Sequence, residues 1–351
     1  MAMKLPVLSK KLIDFSILDL AVVTQGSSVN ETIKNTVTLA QKAEVFGYTR
    51  YWLAEHHNMP AIASSATVIL IGHVAQATTT LKVGSGGIML PNHSAFIVAE
   101  QFGTLGTLYP NRIDLGLGRA PGTDQETARE IRSDFMNAAH SFPEEIEKIQ
   151  KYFSINNHDA KVRVPLAEGI SVPIFILGSS TDSAHLAARK GFPYAFASHF
   201  ATAQLLQALE IYRKEFIPSN ELSEPYTLAG INVFLADTDE EAETMATSFI
   251  KMIVGLLTGA KRESLAEPCE MTQELRDTLA HPSVQQMTRY TFIGSKSKVK
   301  NEIKGFLEKT GVDELIITTN CHNQNARIKS YQYMAEIINE LNENTKIVPF
   351  R

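Results

Sequence analysis

The stretch "RIDLGLGRAPGTDQ", residues 112–125, decides between two kinds of α/β fold. It begins as an apolar strand and carries Gly116 and Gly118, the start of the Gly-x-Gly-x-x-Gly pattern that binds a dinucleotide at a strand-to-helix turn. The third position of that pattern is Pro121, which has no N–H group to donate to a pyrophosphate. A capping-box pattern at 123–126 predicts that the helix begins only after an irregular loop. The stretch is therefore a strand, a loop and a helix, and a dinucleotide fold is not favoured.

Strand-like runs alternate with helix-like runs along the whole chain. Most of these strands are short and apolar on both faces, as in a parallel sheet that helices cover on both sides. Eight such β-α units predict a TIM (β/α)8 barrel with insertions, and a doubly wound open sheet is the alternative. A barrel places chemistry where strands end and loops begin. The predicted strands lie at 15–23, 50–56, 81–90, 112–118, 173–178, 194–198, 229–237 and 313–318.

Two segments interrupt this alternation. Residues 154–172 are polar and are expected to form a short hairpin, whereas residues 255–290 form a long insertion. Long insertions in compact domains are usually functional or mobile loops, so 255–290 is expected to act as a lid. The prediction is one barrel domain spanning residues 1–351.

Composition limits the classes of partner. The chain has 351 residues, 44% of them hydrophobic and 20% charged, which is typical of a soluble globular protein. A net charge of −5 without a basic cluster argues against nucleic acid and anionic membranes. The apolar run 66–72 is too short to span a bilayer, and segment 1–12 lacks the apolar core of a signal peptide. Two cysteines predict a cytoplasmic protein without disulfides, and no metal site is predicted.

The second and third predicted strands end in histidines and glycines. Strand alternation places His56 on the face of Trp52 and Ala54, and turns His57 to the other face together with Glu55. Either histidine could instead be an ordinary hydrogen-bonded loop residue. The next strand carries glycines where a buried strand should end, which indicates either a flat ligand packed on the backbone or a β-bulge. These glycines are Gly84, Gly86 and Gly87, and His93 follows them.

The fourth and fifth strands end in groups that suit an anion. Arg119 lies just beyond the fourth strand, where its fork could bind a phosphate or pair with a loop acid such as Asp124. Ser179, Ser180 and Ser183 surround the start of the next helix, where free N–H groups and the helix dipole attract anions. Plain serine capping is the alternative. A competing phosphate site is "IGSKSK", residues 293–298.

Together, "YWLAEHHNM" (51–59), "SGGIMLPNHS" (85–94) and "RIDLGLGRAPGTDQ" resemble the bacterial luciferase-like flavin monooxygenase family. The resemblance covers nearly the whole chain, and its single-subunit branch is most similar. It implies a TIM barrel with insertions that dimerises and binds reduced FMN, or the deazaflavin F420, at the C-terminal face of the barrel.

The resemblance also implies roles for individual residues. His56 matches the catalytic histidine of the family, and Gly86 with Gly87 matches a non-proline cis peptide that lies against the flavin. Arg119 matches the arginine that binds the flavin phosphate. Ser180 and Ser183 match the hydroxyls on that phosphate, which favours the fifth-strand site over 293–298.

Three positions depart from luciferase proper, namely Gly118, Ser179 and His199, so light emission is not expected. The substrate is expected to contact His57, His93 and His199.

The chain is accordingly expected to be a monooxygenase that uses reduced FMN and O2 on a small organic substrate. A separate NAD(P)H:flavin reductase would supply the reduced flavin. The alternatives are a deazaflavin-dependent hydride-transfer enzyme and a non-catalytic flavin-binding protein. Helix 61–77 is apolar over most of its circumference and is expected to form a homodimer interface.

Overall fold

The computed structural model of the protein describes residues 12–260 and 263–346. Eight of its strands form a closed parallel barrel, because β6 pairs with β7 and β1 pairs with the last strand, β9. The predicted TIM barrel is confirmed, and the open sheet is excluded since no barrel strand is left as an edge. Residues 1–11, on which the signal-peptide argument rests, lie outside the described part. The strands are β1 Asp14–Asp19, β2 Arg50–Leu53, β3 Lys82–Met89, β4 Ile113–Gly118, β5 Ile174–Gly178, β6 Tyr194–Phe196, β7 Thr227–Ala236, β8 Thr291–Ser295 and β9 Glu314–Thr318.

Helices surround this barrel, and their ends follow from local sequence. The first begins at a capping box in which Ser28 and Glu31 satisfy each other's backbone N–H groups. It ends at Gly47, whose φ of 83° is in the left-handed region that glycine tolerates. The helices are α1 Val29–Phe46, α2 Thr67–Gln76, α3 Ala95–Leu108, α4 Gln125–Ile131, α5 Phe135–His140, α6 Phe142–Phe153, α7 Thr181–Lys190, α8 Leu205–Glu215, α9 Asp239–Thr258, α10 Gln273–Ala280, α11 Pro282–Thr288, α12 Lys296–Thr310 and α13 Gln324–Lys346.

The barrel interior is layered. At the N-terminal end, Arg50 is buried and forms ion pairs of 2.8 Å with both Asp114 and Glu314. Above it lies an apolar layer in which Trp52 packs edge-on against Phe175, with ring centroids 4.9 Å apart. The buried ion pairs and aromatic rings fill the lower barrel, so open space for a ligand is confined to its C-terminal end.

Strand β8 was not predicted. The first half of β7 pairs with β9, and its second half, from Asn232 to Ala236, pairs with β8. The sequence of β8 is short and follows the long insertion, so its apolar pattern does not stand out from the helix that follows. The barrel therefore carries one strand beyond its closed ring.

Two predicted helix boundaries are wrong. The predicted helix 61–77 begins only at Thr67, because the backbone before it pairs with the loop after β1. There the Val23 N–H donates to Ala61 O at 2.8 Å, and the Ala63 N–H donates to Ala21 O at 2.9 Å. The predicted capping box at 123–126 is also replaced, because Asp124 caps α4 and accepts from the N–H of Thr127.

Residues 119–172 are more irregular than the sequence predicted. Three helices, α4 to α6, occupy most of the segment between β4 and residue 153. The hairpin expected at 154–172 is wrong, since this segment contains a short 3₁₀ turn and no strand. Instead of pairing with itself, the segment packs Val164 and Ala167 beneath Ala99 of α3. Gly103 permits this contact, because a Cβ there would lie 2.7 Å from the Ala167 Cβ.

The insertion at 255–290 reaches two loops at the C-terminal end of the barrel. It begins in the last turn of α9, and α10 and α11 pack back onto α9 through an apolar cluster that includes Phe249 and Val284. Leu265 exchanges backbone hydrogen bonds of 2.8 Å with the loop after β1. Thr202, in the loop after β6, donates its hydroxyl to the Gln286 carbonyl. The insertion is thus tied to two separate loops of the barrel mouth. Among the described residues, no helix is long and apolar enough to cross a membrane.

Candidate functional site

The glycines at the end of β3 lie where the backbone is irregular. The Gly86–Gly87 peptide is cis, as the family resemblance implied, and the register with β4 shifts between Ser85 and Ile88. A Cβ on Gly87 would lie 2.7 Å from the Gly116 carbonyl oxygen, so a larger residue would collide with the backbone of β4. The bulge alternative for these glycines is therefore present together with the cis peptide, and backbone atoms line this part of the mouth.

The glycines of the opening stretch serve packing between β3 and β4. A Cβ on Gly116 would lie 2.2 Å from the Ser85 carbonyl oxygen. A Cβ on Gly118 would lie 3.0 Å from the Met89 sulfur. The Ser85 hydroxyl also bonds to the N–H and C=O of Gly116, at 3.0 and 2.8 Å. The two glycines let the strands approach closely, which is not the role they have in a dinucleotide fingerprint.

His56 is half-buried at the end of β2, where a backbone carbonyl orients its ring. Its Nδ1 lies 3.1 Å from the Gly122 oxygen, in the loop after β4. A carbonyl only accepts hydrogen bonds, so Nδ1 carries the proton. In the neutral ring, Nε2 then carries the lone pair and can accept a proton.

His199 follows β6 and shares a local environment with His56. Its Nδ1 is buried and has no hydrogen-bond partner among the described residues. Burial and, to a smaller extent, the nearby His56 together lower the pKa of His199 to about 4, so the ring is neutral at physiological pH. Gly230 makes room for it, since a Cβ there would lie 2.4 Å from Nδ1. Asn232 fixes its backbone by donating to the His199 carbonyl at 2.6 Å.

The start of α7 places backbone N–H groups and serine hydroxyls near the guanidinium of Arg119. Ser180 is the N-cap residue, but its side chain makes no capping hydrogen bond, so the plain-capping alternative does not describe it. The N–H of Thr181 donates instead to Gln204 Oε1 at 3.3 Å. Arg119 lies beside this helix end and pairs with Asp182 at 3.3 Å, not with Asp124 as one alternative expected. The arginine and the helix N-terminus therefore lie together, as a phosphate site requires.

The remaining serines of this loop have different surroundings. The Ser183 hydroxyl donates to the Ser180 carbonyl at 2.7 Å and lies 3.0 Å from the Tyr194 hydroxyl. Ser179 is exposed at the end of β5. A phosphate ligand role for Ser183 thus requires an exchange of its present hydrogen bonds.

The competing site at 293–298 lies outside the closed barrel, on β8 and the start of α12. The Asp239 carboxylate already accepts from the Ser295 N–H at 2.6 Å. This hydrogen bond lowers the pKa of Asp239, which stays ionised and disfavours a second anion there.

Glu55 is the residue that sequence reasoning missed. Its side chain is only 1% exposed, and both His57 and His93 place Nε2 2.9 Å from its Oε1. Burial alone would raise the pKa of Glu55, but the hydrogen bonds from His57 and His93 outweigh it and lower the pKa to about 2. Two histidines expected in the substrate pocket are thus turned to a buried carboxylate. Strand alternation, which put Glu55 and His57 on one face, was the available signal.

These groups lie on consecutive strands of the barrel. The cis peptide lies near the C-terminal end of β3. The other groups follow β2, β4, β5 and β6, and they are His56, Arg119, the start of α7 and His199 respectively. Within residues 12–260 and 263–346, no cluster of three or more His, Cys, Asp or Glu side chains could hold a metal ion. One arc of the mouth therefore combines a glycine backbone, two histidines and a helix N-terminus beside an arginine.

Comparison with known proteins finds a family model and relatives that match most of the chain. The family model described as luciferase-like monooxygenase matches residues 13–314. An uncharacterized protein of Bacillus subtilis, YvbT, is 45% identical and covers 92% of this chain and 96% of its own. A luciferase-like monooxygenase of Escherichia coli K12 is 43% identical over 95% of this chain and 99% of its own. The N-acetyl-S-alkylcysteine monooxygenase of B. subtilis is 32% identical over 93% and 98%.

Solved structures extend the comparison to the fold. The crystal structure of apo-MsnO8 superposes with a TM-score of 0.85 at 28% identity, covering 93% of this chain and 98% of the other. The oxygenating constituent of 3,6-diketocamphane monooxygenase from Pseudomonas putida, solved with FMN, has a TM-score of 0.69 at 16% identity, covering 93% and 97%. The second likeness concerns the fold alone. The family match and the full-length relatives together show that the chain belongs to the luciferase-like monooxygenase family.

Proposed function

We propose that this protein is a flavin-dependent monooxygenase that uses reduced FMN and O2 to oxidise a small organic substrate. The observation that carries the proposal is the arc from β2 to β5. Here His56 follows β2, the cis Gly86–Gly87 peptide lies near the C-terminal end of β3, and α7 starts after β5. FMN is flat at one end and carries a phosphate at the other, so it needs both kinds of surface within one mouth.

The phosphate end of FMN fits the start of α7. Helix N-termini attract anions through free N–H groups and the helix dipole, and Arg119 adds a guanidinium beside this one. The phosphate would be held by Arg119, Ser179, Ser180 and the first amides of α7, with Ser183 joining them if its hydroxyl turns. Arg119 would then exchange its exposed pair with Asp182 for the phosphate.

The ring end of FMN fits the glycine backbone at the end of β3. Side chains at Gly86 and Gly87 would collide with neighbouring strands, and the same absence of side chains leaves the backbone open to a flat ring. When bound, reduced FMN supplies the electrons that activate O2. His56 lies beside this surface, where its Nε2 can take or return a proton.

The remaining groups at the mouth would bind the substrate and shield it from water. His199, neutral and with a buried Nδ1, offers a hydrogen bond to an uncharged substrate group. The insertion at 255–290, tied to the loops after β1 and β6, would cover the mouth and exclude water. The reduced flavin would come from a separate NAD(P)H:flavin reductase, since the loop after β4 lacks the dinucleotide fingerprint. We further propose that the enzyme is a cytoplasmic homodimer.

The proposal is tested by titrating the purified protein with FMN, FMNH2, riboflavin and a deazaflavin. We expect micromolar or tighter binding of FMNH2. Ser180→Ala and Ser183→Ala, singly and together, should weaken FMN far more than riboflavin, because only FMN carries the phosphate. Ser28→Ala, at the N-cap of α1, is the matched control; it should destabilise the fold by about 1 kcal/mol without changing FMN affinity.

Three outcomes would contradict the proposal. Failure to bind any flavin would show that the protein does not use a flavin cofactor. Preference for the deazaflavin over FMNH2 would indicate a hydride-transfer enzyme. Tight FMNH2 binding without oxidation of any member of a substrate panel, which should include N-acetyl-S-alkylcysteines because of the B. subtilis relative, would indicate a flavin-binding protein without turnover.

A further inference from the structure

We propose that Glu55 is a positioning residue that locks the loops after β2, β3 and β4 into one arrangement, with His57 and His93 as its hydrogen-bond donors and not as substrate contacts. The loop after β2 carries His56, the loop after β3 continues from the strand end that contains Gly86–Gly87, and the loop after β4 carries Arg119. The flavin readout of this proposal rests on the proposed function, whereas the positioning itself does not.

Glu55 ties the loop after β3 through three contacts. Its Oε2 accepts from the Met89 N–H at 3.0 Å, two residues beyond the cis peptide. Its Oε1 accepts from Asn92 Nδ2 at 3.1 Å and from His93 Nε2 at 2.9 Å. The end of β3 and the turn that follows it are therefore fixed by one carboxylate from the neighbouring strand.

The same cluster reaches the loop after β4. Asn92 Nδ2 also donates to the Pro121 carbonyl at 2.9 Å, so it bridges Glu55 to this loop. The Gly122 backbone sits directly against Glu55, since a Cβ there would lie 2.6 Å from the Glu55 carbonyl oxygen. Gly122 O is the acceptor that orients the His56 ring. A shift of Glu55 would thus move the carbonyl that sets the His56 tautomer.

His57 completes the link from the β2 side. Its Nε2 donates to Glu55, its backbone N–H donates to Gly122 O at 3.3 Å, and its carbonyl accepts from the Thr123 hydroxyl at 2.9 Å. Three hydrogen bonds of one residue therefore go to the framework between β2 and β4. This explains two adjacent histidines with different tasks, one facing the mouth and one holding the loop.

The chemistry of the cluster requires a carboxylate. Its surroundings are all donors, comprising two imidazole N–H groups, an amide NH2 and a backbone N–H, and an ionised carboxylate is a pure acceptor. A glutamine would direct its own NH2 group at the Met89 N–H or at the Oε1 donors. At least one buried donor would then lose its acceptor, so Glu55→Gln removes the lock while nearly preserving shape.

The first experiment needs no flavin. Hydrogen–deuterium exchange of the apoprotein should be faster in Glu55→Gln at residues 56–59, 88–93 and 119–123 together. The matched control is Glu44→Gln, because Glu44 anchors the N–H groups of Thr79, Thr80 and Leu81 at the opposite end of β3. In Glu44→Gln, hydrogen exchange should become faster only around residues 79–81. If Glu55→Gln left the three loops protected, or opened only one of them, the proposal would be overturned.

The second experiment measures flavin binding. Glu55→Gln should weaken FMN and riboflavin by the same factor, about tenfold or more, because the loops position the ring end of the flavin. The serine substitutions at the start of α7 should instead weaken FMN binding more than riboflavin binding. Glu44→Gln should change the affinity for neither flavin. Unchanged affinity in Glu55→Gln, with wild type binding FMN, would overturn the proposal. Absence of flavin binding in wild type would overturn the proposed function and leave the exchange experiment as the test of Glu55.

A double-mutant cycle separates anchoring from substrate contact. His93 is half-buried, so His93→Gln is less disruptive than the change at Glu55. Alone, it should weaken the binding of both FMN and riboflavin about threefold. In the Glu55→Gln background it should add nothing, since both changes act through one cluster. An undiminished effect of His93→Gln in that background would show that His93 acts on the ligand directly, which contradicts the proposal.

Discussion

His56 and His199 lie at the ends of β2 and β6, and different contacts hold their rings. The His56 ring is oriented by the Gly122 carbonyl, whereas the buried Nδ1 of His199 has no partner among the described residues. The first arrangement fixes a tautomer and suits proton transfer. The second keeps a neutral ring that can bond to an incoming group.

The role of His56 is testable by mutation. His56→Ala should leave FMN affinity within a few fold, because the proposed phosphate contacts lie on β4 and α7. It should lower the rate of substrate oxygenation by about 10²–10⁴-fold, the usual contribution of a general acid–base group. The measurement is turnover with FMNH2 and O2 at saturating flavin.

His57→Ala is the comparison for that measurement. At saturating flavin it should lower the rate less than His56→Ala, since His57 Nε2 is turned to Glu55. A larger loss in His57→Ala would reverse the assignment of the two histidines. If neither change mattered, His199 would be the next candidate for the catalytic group.

His199 should leave a signature in the pH dependence of stability. Its pKa is about 4 in the folded protein and about 6.5 in an unfolded chain. Between these values only the unfolded chain binds the proton, so the free energy of unfolding should fall as the pH drops from 6.5 to 4. The slope from this residue is at most about 1.4 kcal/mol per pH unit.

Urea unfolding at several pH values measures this contribution. His199→Gln should flatten the slope between pH 6.5 and 4. The exposed His140→Gln on α5 should retain the wild-type slope. Equal slopes for wild type and His199→Gln would mean that folding does not lower the pKa of His199, which would contradict this prediction.

At the scale of elements, the insertion at 255–290 is the segment whose position matters most for function. Leu265 bonds through its backbone to the loop after β1, and this contact ties the insertion across the mouth. Leu265→Pro removes the N–H that donates to Val23 O and should loosen the insertion, whereas Leu265→Ala keeps the backbone bonds. We expect iodide to quench bound FMN at least about twice as efficiently in Leu265→Pro as in wild type or Leu265→Ala, since a loosened insertion no longer excludes solvent. Equal quenching in all three proteins would contradict the proposal that the insertion covers the mouth and excludes solvent.

Element boundaries show where local patterns are overridden. The apolar periodicity of 61–77 continues through residues 61–66, yet these residues pair with the loop after β1 and α2 starts at Thr67. Strand β8 exists because β7 is long enough to offer a free half to it. In both cases a partner distant in sequence decides the local structure, which no window of neighbouring residues contains.

At the scale of the whole molecule, an exposed apolar surface supports the proposed homodimer. Ile69 on α2 is 72% exposed, and Ile97 and Leu108 on the neighbouring α3 are 45% and 62% exposed. Apolar patches of this kind mark interaction surfaces. Ile69→Asp should convert a dimer to a monomer in sedimentation velocity at micromolar concentration. Val45→Asp on α1, where Val45 is 78% exposed, is the control and should stay dimeric. A monomeric wild type would contradict the interface.

The sequence by itself determined the fold of this protein and the facing of its strand ends. Eight short apolar strands, each with a helix, can bury both sheet faces only in a few ways, and closure into a barrel is one of them. The two-residue period of a strand alone predicted that the side chains of His56 and His57 point to opposite faces. The cis Gly86–Gly87 peptide was expected only from family resemblance, because the glycines alone also fitted a bulge.

Only the tertiary structure decided what those strand-end residues touch. Glu55 holds His93, 38 residues away, and His56 is oriented by Gly122, 66 residues away. The pairing of Arg119 with Asp182 and the burial of His199 likewise depend on how β4, β5 and β6 are placed side by side. Hydrogen bonds and desolvation act over a few ångströms in space, whereas sequence patterns report only neighbours along the chain. The period of a strand fixes a direction for each side chain, and the folded barrel supplies the partner.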